Sequence, residues 1–152
     1  LESSGLADLA GRKPYAARQI ARWTTQWDSS RTREVPGIDS LAARLTAKIP
    51  EQHEVTLVHG DFHLSNVITA RNDGRVVAVV DWELCTLGDP LADLGLLMVY
   101  WSGPTDEPSG TTFGTTTAEG FLNRAQLAER YAKVSGRDIS HLDYQWSLNE
   151  AK

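Results

Sequence analysis

The 152 residues are enough for one domain with a hydrophobic core, and 41% hydrophobic and 23% charged residues exclude a disordered chain. The net charge of −5 and the scattered arginines argue against a surface that binds nucleic acid or anionic membranes. No apolar run reaches the roughly 18 residues of a membrane span, and the single Cys85 excludes an internal disulfide, so a cytoplasmic location is favoured.

Two helices are predicted in the first third of the chain. The first helix follows Pro14, and its apolar stripe consists of Ala16, Ile20, Trp23 and Trp27. The polar stretch 28–37 interrupts this pattern. Asp39 then stands where it could cap a second helix, which is expected to end before Pro50.

The middle of the chain is rich in valine and predicts strands. Residues 55–58 are expected to form a short strand that leads into the string HGDFHLSN. Residues 67–69 and 76–80 predict a hairpin, because Asn72-Asp73-Gly74 between them is a strong turn signal. The second strand of this hairpin delivers Asp81 at its end.

The last part of the chain returns to helical patterns. Asp89 and Pro90 are typical of a helix start, and Gly136 is typical of a helix end. Between those helices, residues 102–116 are rich in Gly, Pro, Ser and Thr and predict an exposed loop.

A final helix is expected near the C-terminus. Ser140 and Asp143 resemble a capping box at its start. The expected fold class is therefore α+β and mostly helical, with one small β-hairpin.

A set of chemically useful side chains surrounds the predicted hairpin. Asn66 follows Asp61 by five positions, and Asp81 comes after the hairpin. Phosphoryl transfer from ATP needs such a set, because one carboxylate takes the proton of the attacking hydroxyl while oxygen ligands hold Mg²⁺ against the phosphates. Singly, the three residues could only cap a turn, a loop or a strand. In the spacing of a kinase catalytic loop, they favour catalysis.

The strings HGDFHLSN, VVDWE and GDPLADL resemble the aminoglycoside phosphotransferase and choline kinase superfamily, whose fold is related to the protein kinases. The longer string DWELCTLGDPLADL, with WTTQWDSS and SGRDISHLDY, most resembles the kinase-like domains that are fused to acyl-CoA dehydrogenases. The resemblance implies the C-terminal lobe of a protein-kinase-like fold with a catalytic β-hairpin. It also implies ATP as co-substrate and Mg²⁺ as cofactor.

The same resemblance implies roles for individual residues. Asp61 would be the catalytic base, and Asn66 and Asp81 would be the metal ligands. Support of the catalytic loop is expected from His59, Gly60, His63 and Asp93, the last through hydrogen bonds to the loop backbone. Glu83 stays open between a group behind the metal ligands, a substrate contact and a surface acid.

A nucleotide-binding lobe is not evident in the sequence. Kinases hold the phosphates with a Gly-rich loop and a strand lysine, but neither GxGxxG nor GxxxxGK[ST] occurs here. Ahead of the HGD string only Lys13 and Lys48 occur, both in segments with helical patterns. Residues 1–152 are therefore expected to be a single partial domain, a C-lobe truncated at the front and at the back, with weak nucleotide affinity by itself.

The favoured function is ATP- and Mg²⁺-dependent transfer of the γ-phosphoryl group to a hydroxyl of a small molecule. An aminoglycoside, a choline-like compound and a hydroxyacyl compound all remain open as acceptors. Nucleic-acid and membrane partners are not expected, whereas fusion to further domains is. Two alternatives are a metal-dependent hydrolase that uses His59, Asp61, His63 and Asp81, and a kinase-like binding module without catalytic activity.

Overall fold

The computed structural model describes residues 5–6, 9, 13–103, 106 and 115–151. Over these residues the chain is mostly helical with a few short strands, as the sequence predicts. The elements are α1 (Tyr15–Ser30), α2 (Ile38–Ala47), β1 (Thr56–Val58), β2 (Val67–Thr69), β3 (Val76–Val79), β4 (Thr86–Gly88), α3 (Leu91–Tyr100), α4 (Arg124–Ser135) and α5 (Leu142–Glu150). No helix of the described part has the length and apolar character that crossing a membrane would require.

The centre of the fold is α3, which lies against α5. The main core cluster is built from Leu91, Leu94, Leu97, Met98, Trp101 and Leu142. Gly95 lets the two helices approach closely, because a Cβ atom there would lie 2.7 Å from the backbone carbon of Gln145. With most of its residues buried, α3 is a closely packed support for the segments attached to it.

A second cluster joins α1 and α2 to α5. It consists of Ala16, Ile20, Leu45 and Leu148, with Trp23, Ile49 and Tyr144 packed around it. At the start of α1 the buried Tyr15 ring lies against Gly88 of β4, where a Cβ atom would be only 2.4 Å from the ring. Burial, and then the nearby Asp93 carboxylate, raise the pKa of Tyr15 to about 12. The first helix is thus anchored on the segment that precedes α3.

Two small antiparallel sheets hold the loop regions in place. The hairpin β2–β3 has the predicted position, with Val67 opposite Val79. The second sheet pairs β1 with β4, with Val58 opposite Thr86. Strand β4 is absent from the sequence prediction, because three residues without an apolar pattern form a strand only when the tertiary fold supplies a partner.

Helix α2 begins differently from the prediction. Its N-cap is Gly37, with φ of 102°, and Asp39 lies inside the first turn instead of capping it. In that position the carboxylate still interacts favourably with the positive end of the helix dipole. The predicted cap at Asp39 is therefore wrong by two positions.

The starts of the last two helices are also set by residues other than those expected. Asn123 caps α4 through a capping box with Gln126. The predicted box at Ser140 and Asp143 does not form, because the Ser140 hydroxyl donates to the Asp138 carboxylate at 2.9 Å. A local turn thus competes with the cap for the same serine.

Candidate active site

The HGDFHLSN string forms a loop that starts at the end of β1 and enters the hairpin. After His59, Gly60 and Asp61 the chain makes a short 3₁₀ turn at Leu64–Asn66, and β2 follows directly. On the other strand, the Val80 N–H donates to the Asn66 carbonyl at 3.0 Å. Because Asp81 is the next residue after Val80, the hairpin returns the chain to the loop at this second carboxylate.

Asn66 is hydrogen-bonded to Asp61. Its side-chain Nδ2 donates to the Asp61 carbonyl at 2.8 Å and lies 3.4 Å from Asp61 Oδ2. The residue is 8% exposed, so these contacts fix the amide with little solvent competition. With the nitrogen engaged, the side-chain oxygen is the atom that can serve as a metal ligand.

His59 connects the start of the loop to the end of the hairpin. Its ring is 2% exposed, and Nε2 lies 2.8 Å from the Val80 carbonyl. Nδ1 accepts a hydrogen bond from the Asp61 N–H at 3.3 Å. The ring also packs against Trp82, with centroids 4.6 Å apart and the ring planes tilted by 48°. Both ring nitrogens are used, so His59 braces the loop and is not placed as a metal ligand.

Asp93 holds the loop to the central helix. One carboxylate oxygen accepts from the His59 N–H at 2.8 Å, and the other accepts from the Gly60 N–H at 2.9 Å. Hydrogen bonds to a charged acceptor are stronger than those between neutral groups. The HGDFHLSN loop is therefore positioned by α3, a helix whose residues are mostly buried.

Gly60 occupies a site that no other residue fits. Its φ is +85°, and a Cβ atom would lie 2.5 Å from the Leu84 carbonyl oxygen. This backbone of the loop is thus pressed against the turn Trp82–Leu84 that follows Asp81. Only glycine allows both the left-handed conformation and the close approach.

We expect Gly60→Ala to lower the free energy of unfolding by about 2 kcal/mol more than Gly120→Ala does. Gly120 has a similar φ of +96° but nothing within 4 Å of its Cβ position. The control therefore carries the conformational cost without the clash. Urea denaturation of the two variants measures the difference, and equal losses would show that Leu84 moves aside freely.

Asp61 and Asp81 both remain accessible to solvent. The Asp61 side chain is 32% exposed, and its Oδ2 lies 3.5 Å from His63 Nε2. Asp81 is exposed and has φ of 68°, the only positive φ of a non-glycine residue in the described ranges. Such a conformation is uncommon and tends to occur at functional sites. It turns the chain directly from β3 into the next turn.

His63 and Glu83 differ in their surroundings. The His63 ring packs against Tyr100 of α3, with centroids 4.8 Å apart, and borders a hollow of about 280 Å³. The adjoining segment 107–114 lies outside the described residues. Glu83 is exposed in the turn after Asp81 and is not part of the hydrogen-bonded set.

The four residues of the hydrolase alternative do not come together as a metal cluster. Within the described ranges, no group of three or more His, Cys, Asp and Glu side chains could hold a metal ion. The ring nitrogens of His59 are already bonded inside the loop. A kinase-type site needs only one or two side-chain ligands from the protein, because nucleotide phosphates and water complete the coordination of Mg²⁺. Asn66 and Asp81 suit that role.

The geometry agrees with comparisons to known proteins. The model of the phosphotransferase enzyme family matches residues 2–135. The chain belongs to this family. A Ralstonia eutropha protein assigned to the aminoglycoside phosphotransferases has a crystal structure that matches 99% of the chain with a TM-score of 0.84 and 32% identity. The more distant type VIII aminoglycoside-3'-phosphotransferase, 21% identical with a TM-score of 0.57, shares the fold.

Curated proteins to which the chain is similar include much longer ones. Acyl-CoA dehydrogenase family member 10 of Mus musculus is 37% identical over 71% of the chain, and member 11 of Pongo abelii is 37% identical over 88%. The chain spans only 10% and 17% of these two proteins, and 46% of the Ralstonia structure. A 4-hydroxytryptamine kinase of Psilocybe cubensis is 28% identical over 65% of the chain.

The site thus contains contacts that sequence reasoning did not name. Three contacts join residues far apart in the chain: the hydrogen bond between His59 and Val80, the packing of His59 against Trp82 and the packing of His63 against Tyr100. The aromatic residue directly after Asp81 is the one sequence signal for the contact with Trp82.

Proposed function

We propose that the chain is the catalytic lobe of an ATP- and Mg²⁺-dependent phosphotransferase that acts on a hydroxyl group of a small molecule. The observation that supports this most is the hydrogen-bonded pair of Asp61 and Asn66, tied through the Asn66–Val80 contact to Asp81. Three oxygen-bearing side chains are thereby available beside one loop, of which Asp81 is exposed and Asp61 is half-buried.

The proposed reaction assigns one task to each side chain. Asp61 accepts the proton of the acceptor hydroxyl as its oxygen bonds to the γ-phosphorus. The bond from that phosphorus to the β,γ-bridging oxygen breaks, and ADP leaves. Asn66 Oδ1 and the Asp81 carboxylate would hold Mg²⁺, which would offset the charge of the phosphates. His59 and Asp93 keep the loop in place.

The nucleotide-binding lobe is proposed to lie outside these residues. The chain covers 46% of its solved relative, and neither lysine that precedes the loop is on a strand. Lys48 directly follows α2. Fusion to further domains, as in the acyl-CoA dehydrogenase relatives, and a location in the cytoplasm belong to the same proposal. The 4-hydroxytryptamine kinase supports a hydroxylated small molecule as the acceptor class.

The metal site can be tested on the 152-residue chain itself. Mn²⁺ substitutes for Mg²⁺ and broadens the NMR signals of nearby nuclei. In the presence of ADP, we expect Mn²⁺ to broaden the amide signals around Asn66 and Asp81 and to spare those of α4. Asp81→Asn should weaken this effect at least tenfold, because a neutral amide is a poorer ligand for a hard cation.

The matched control is Asp73→Asn, in the turn at the other end of the same hairpin. Asp73 accepts a local hydrogen bond from the Arg75 N–H, which asparagine can replace. Broadening that stays unchanged in Asp81→Asn would contradict the proposal. So would tight Zn²⁺ binding that depends on His59 and His63, since that result belongs to a hydrolase.

A further inference from the structure

A cavity of about 470 Å³ lies between α1 and α2. Its volume is in the range of small-molecule sites in proteins. Most of its lining residues belong to these two helices, and Gly60, Leu84 and Thr86 also line it. Gly60 belongs to the loop of the candidate active site, and Leu84 belongs to the turn that follows Asp81.

The position of the cavity links it to the proposed chemistry. Gly60 directly precedes Asp61, and Leu84 is three residues beyond Asp81. The two backbone segments touch at this point, as the 2.5 Å distance from the Gly60 Cβ position to the Leu84 carbonyl oxygen shows. A molecule in the cavity would therefore border both segments that carry the oxygen-bearing side chains.

The lining of the cavity indicates what it can bind. Apolar walls come from Ile20, Trp23, Trp27, Leu41 and Leu45. Among the described residues, the charged members of the lining are Arg22 and Asp39, one of each sign. A polycationic sugar needs several carboxylates to replace its hydration, and the described part of the lining supplies one. Indole and aliphatic walls instead stabilise an apolar or aromatic body by removing it from water.

We propose that this cavity binds the body of the phosphoryl acceptor, and that the acceptor is an alcohol with an uncharged apolar or aromatic body. This inference rests on the proposed function and narrows its substrate class. The hydroxyl group lies at the Gly60 end, where Asp61 receives its proton. The indole rings of Trp23 and Trp27 form the walls along the body.

The five tryptophans provide a direct test, because each indole N–H gives its own NMR signal. The probe is 2-(2-naphthyl)ethanol, an uncharged aromatic alcohol, and kanamycin is the polycationic comparison. We expect saturable shifts of the Trp23 and Trp27 signals with the naphthyl alcohol. The Trp101 and Trp146 signals, which belong to the core cluster around α3, should stay in place. Kanamycin should shift none of these four.

Two variants connect the shifts to the cavity. Leu41→Glu places a charge on the wall and should weaken binding at least fivefold. Its matched control is Val134→Glu on α4, where an apolar side chain that is 73% exposed lies outside the lining, and binding should be unchanged. Ala42→Phe fills the cavity without adding charge and should weaken binding as well. Thermal melting of each variant confirms that it is folded.

The inference is overturned by an absence of saturable binding, by shifts that Leu41→Glu and Ala42→Phe leave unchanged, or by kanamycin binding at Trp23 and Trp27. The Mn²⁺ experiment is independent of these measurements. Metal binding at Asn66 and Asp81 together with an empty cavity would overturn the substrate class alone. Failure of the metal experiment would overturn the proposed function, whatever the cavity binds.

Discussion

Asp61→Asn is expected to lower the rate of phosphoryl transfer by about 10²–10⁴-fold in a protein that joins this chain to the proposed nucleotide-binding lobe, because asparagine cannot accept the proton of the attacking hydroxyl. The two side chains have nearly the same shape, so the loop should keep its structure. The measurement is transfer of labelled γ-phosphate from ATP to alcohols of the class proposed above.

The control for this substitution is Asp143→Asn, at an exposed position in the first turn of α5. Its rate should match that of the unchanged protein. Urea denaturation should show that both variants keep their stability to within about 1 kcal/mol. An unchanged rate in Asp61→Asn would instead support a kinase-like binding module without catalytic activity.

Asp93→Ala is expected to lower the free energy of unfolding by about 3–5 kcal/mol, the largest loss among the variants considered. The substitution removes the acceptor of the His59 and Gly60 N–H groups. A buried donor without a partner costs about 1–3 kcal/mol, and this change leaves two of them at the edge of the core. Urea denaturation at neutral pH measures the loss.

Asp93→Asn distinguishes the stability lost with the hydrogen bonds from the stability lost with side-chain packing. An asparagine side chain has one acceptor oxygen, so it can satisfy one of the two N–H groups, and an intermediate loss is expected. Asp143→Ala on the exposed face of α5 should lower stability by less than about 1 kcal/mol, because only the interaction of its carboxylate with the helix dipole is lost. A loss below about 1 kcal/mol in Asp93→Ala would mean that water replaces the carboxylate readily.

Much of the helical fold is predictable from the sequence, because apolar stripes and end signals act locally. The stripe of α1 buries Ala16 and Ile20, and Gly136 ends α4 in the left-handed conformation that its position requires. Strand β4 depends on pairing with a distant segment, so no local pattern marks it. The N-cap of α2 is Gly37 and not the predicted Asp39, because glycine at position 37 reaches a backbone conformation that other residues avoid.

The sequence predicts which residues belong to the candidate site, but it does not predict the contacts between them. Spacing and family resemblance single out Asp61, Asn66 and Asp81, whose catalytic roles remain predictions. The bond of His59 to the Val80 carbonyl depends on how the hairpin folds back, which spacing does not determine. Glu83 illustrates the limit, because its nearness in sequence to Asp81 does not bring it into the hydrogen-bonded set.

The attachment of the loop to α3 has a consequence for how such a lobe works. Asp93 belongs to a helix whose other side chains form the hydrophobic core, so a shift of the loop would break its two hydrogen bonds to Asp93 or move that helix. If Asp61, Asn66 and Asp81 have the roles proposed above, much of the entropy cost of arranging them is met during folding, before any nucleotide binds. A destabilising substitution deep in the α3–α5 contact would accordingly impair chemistry and folding together.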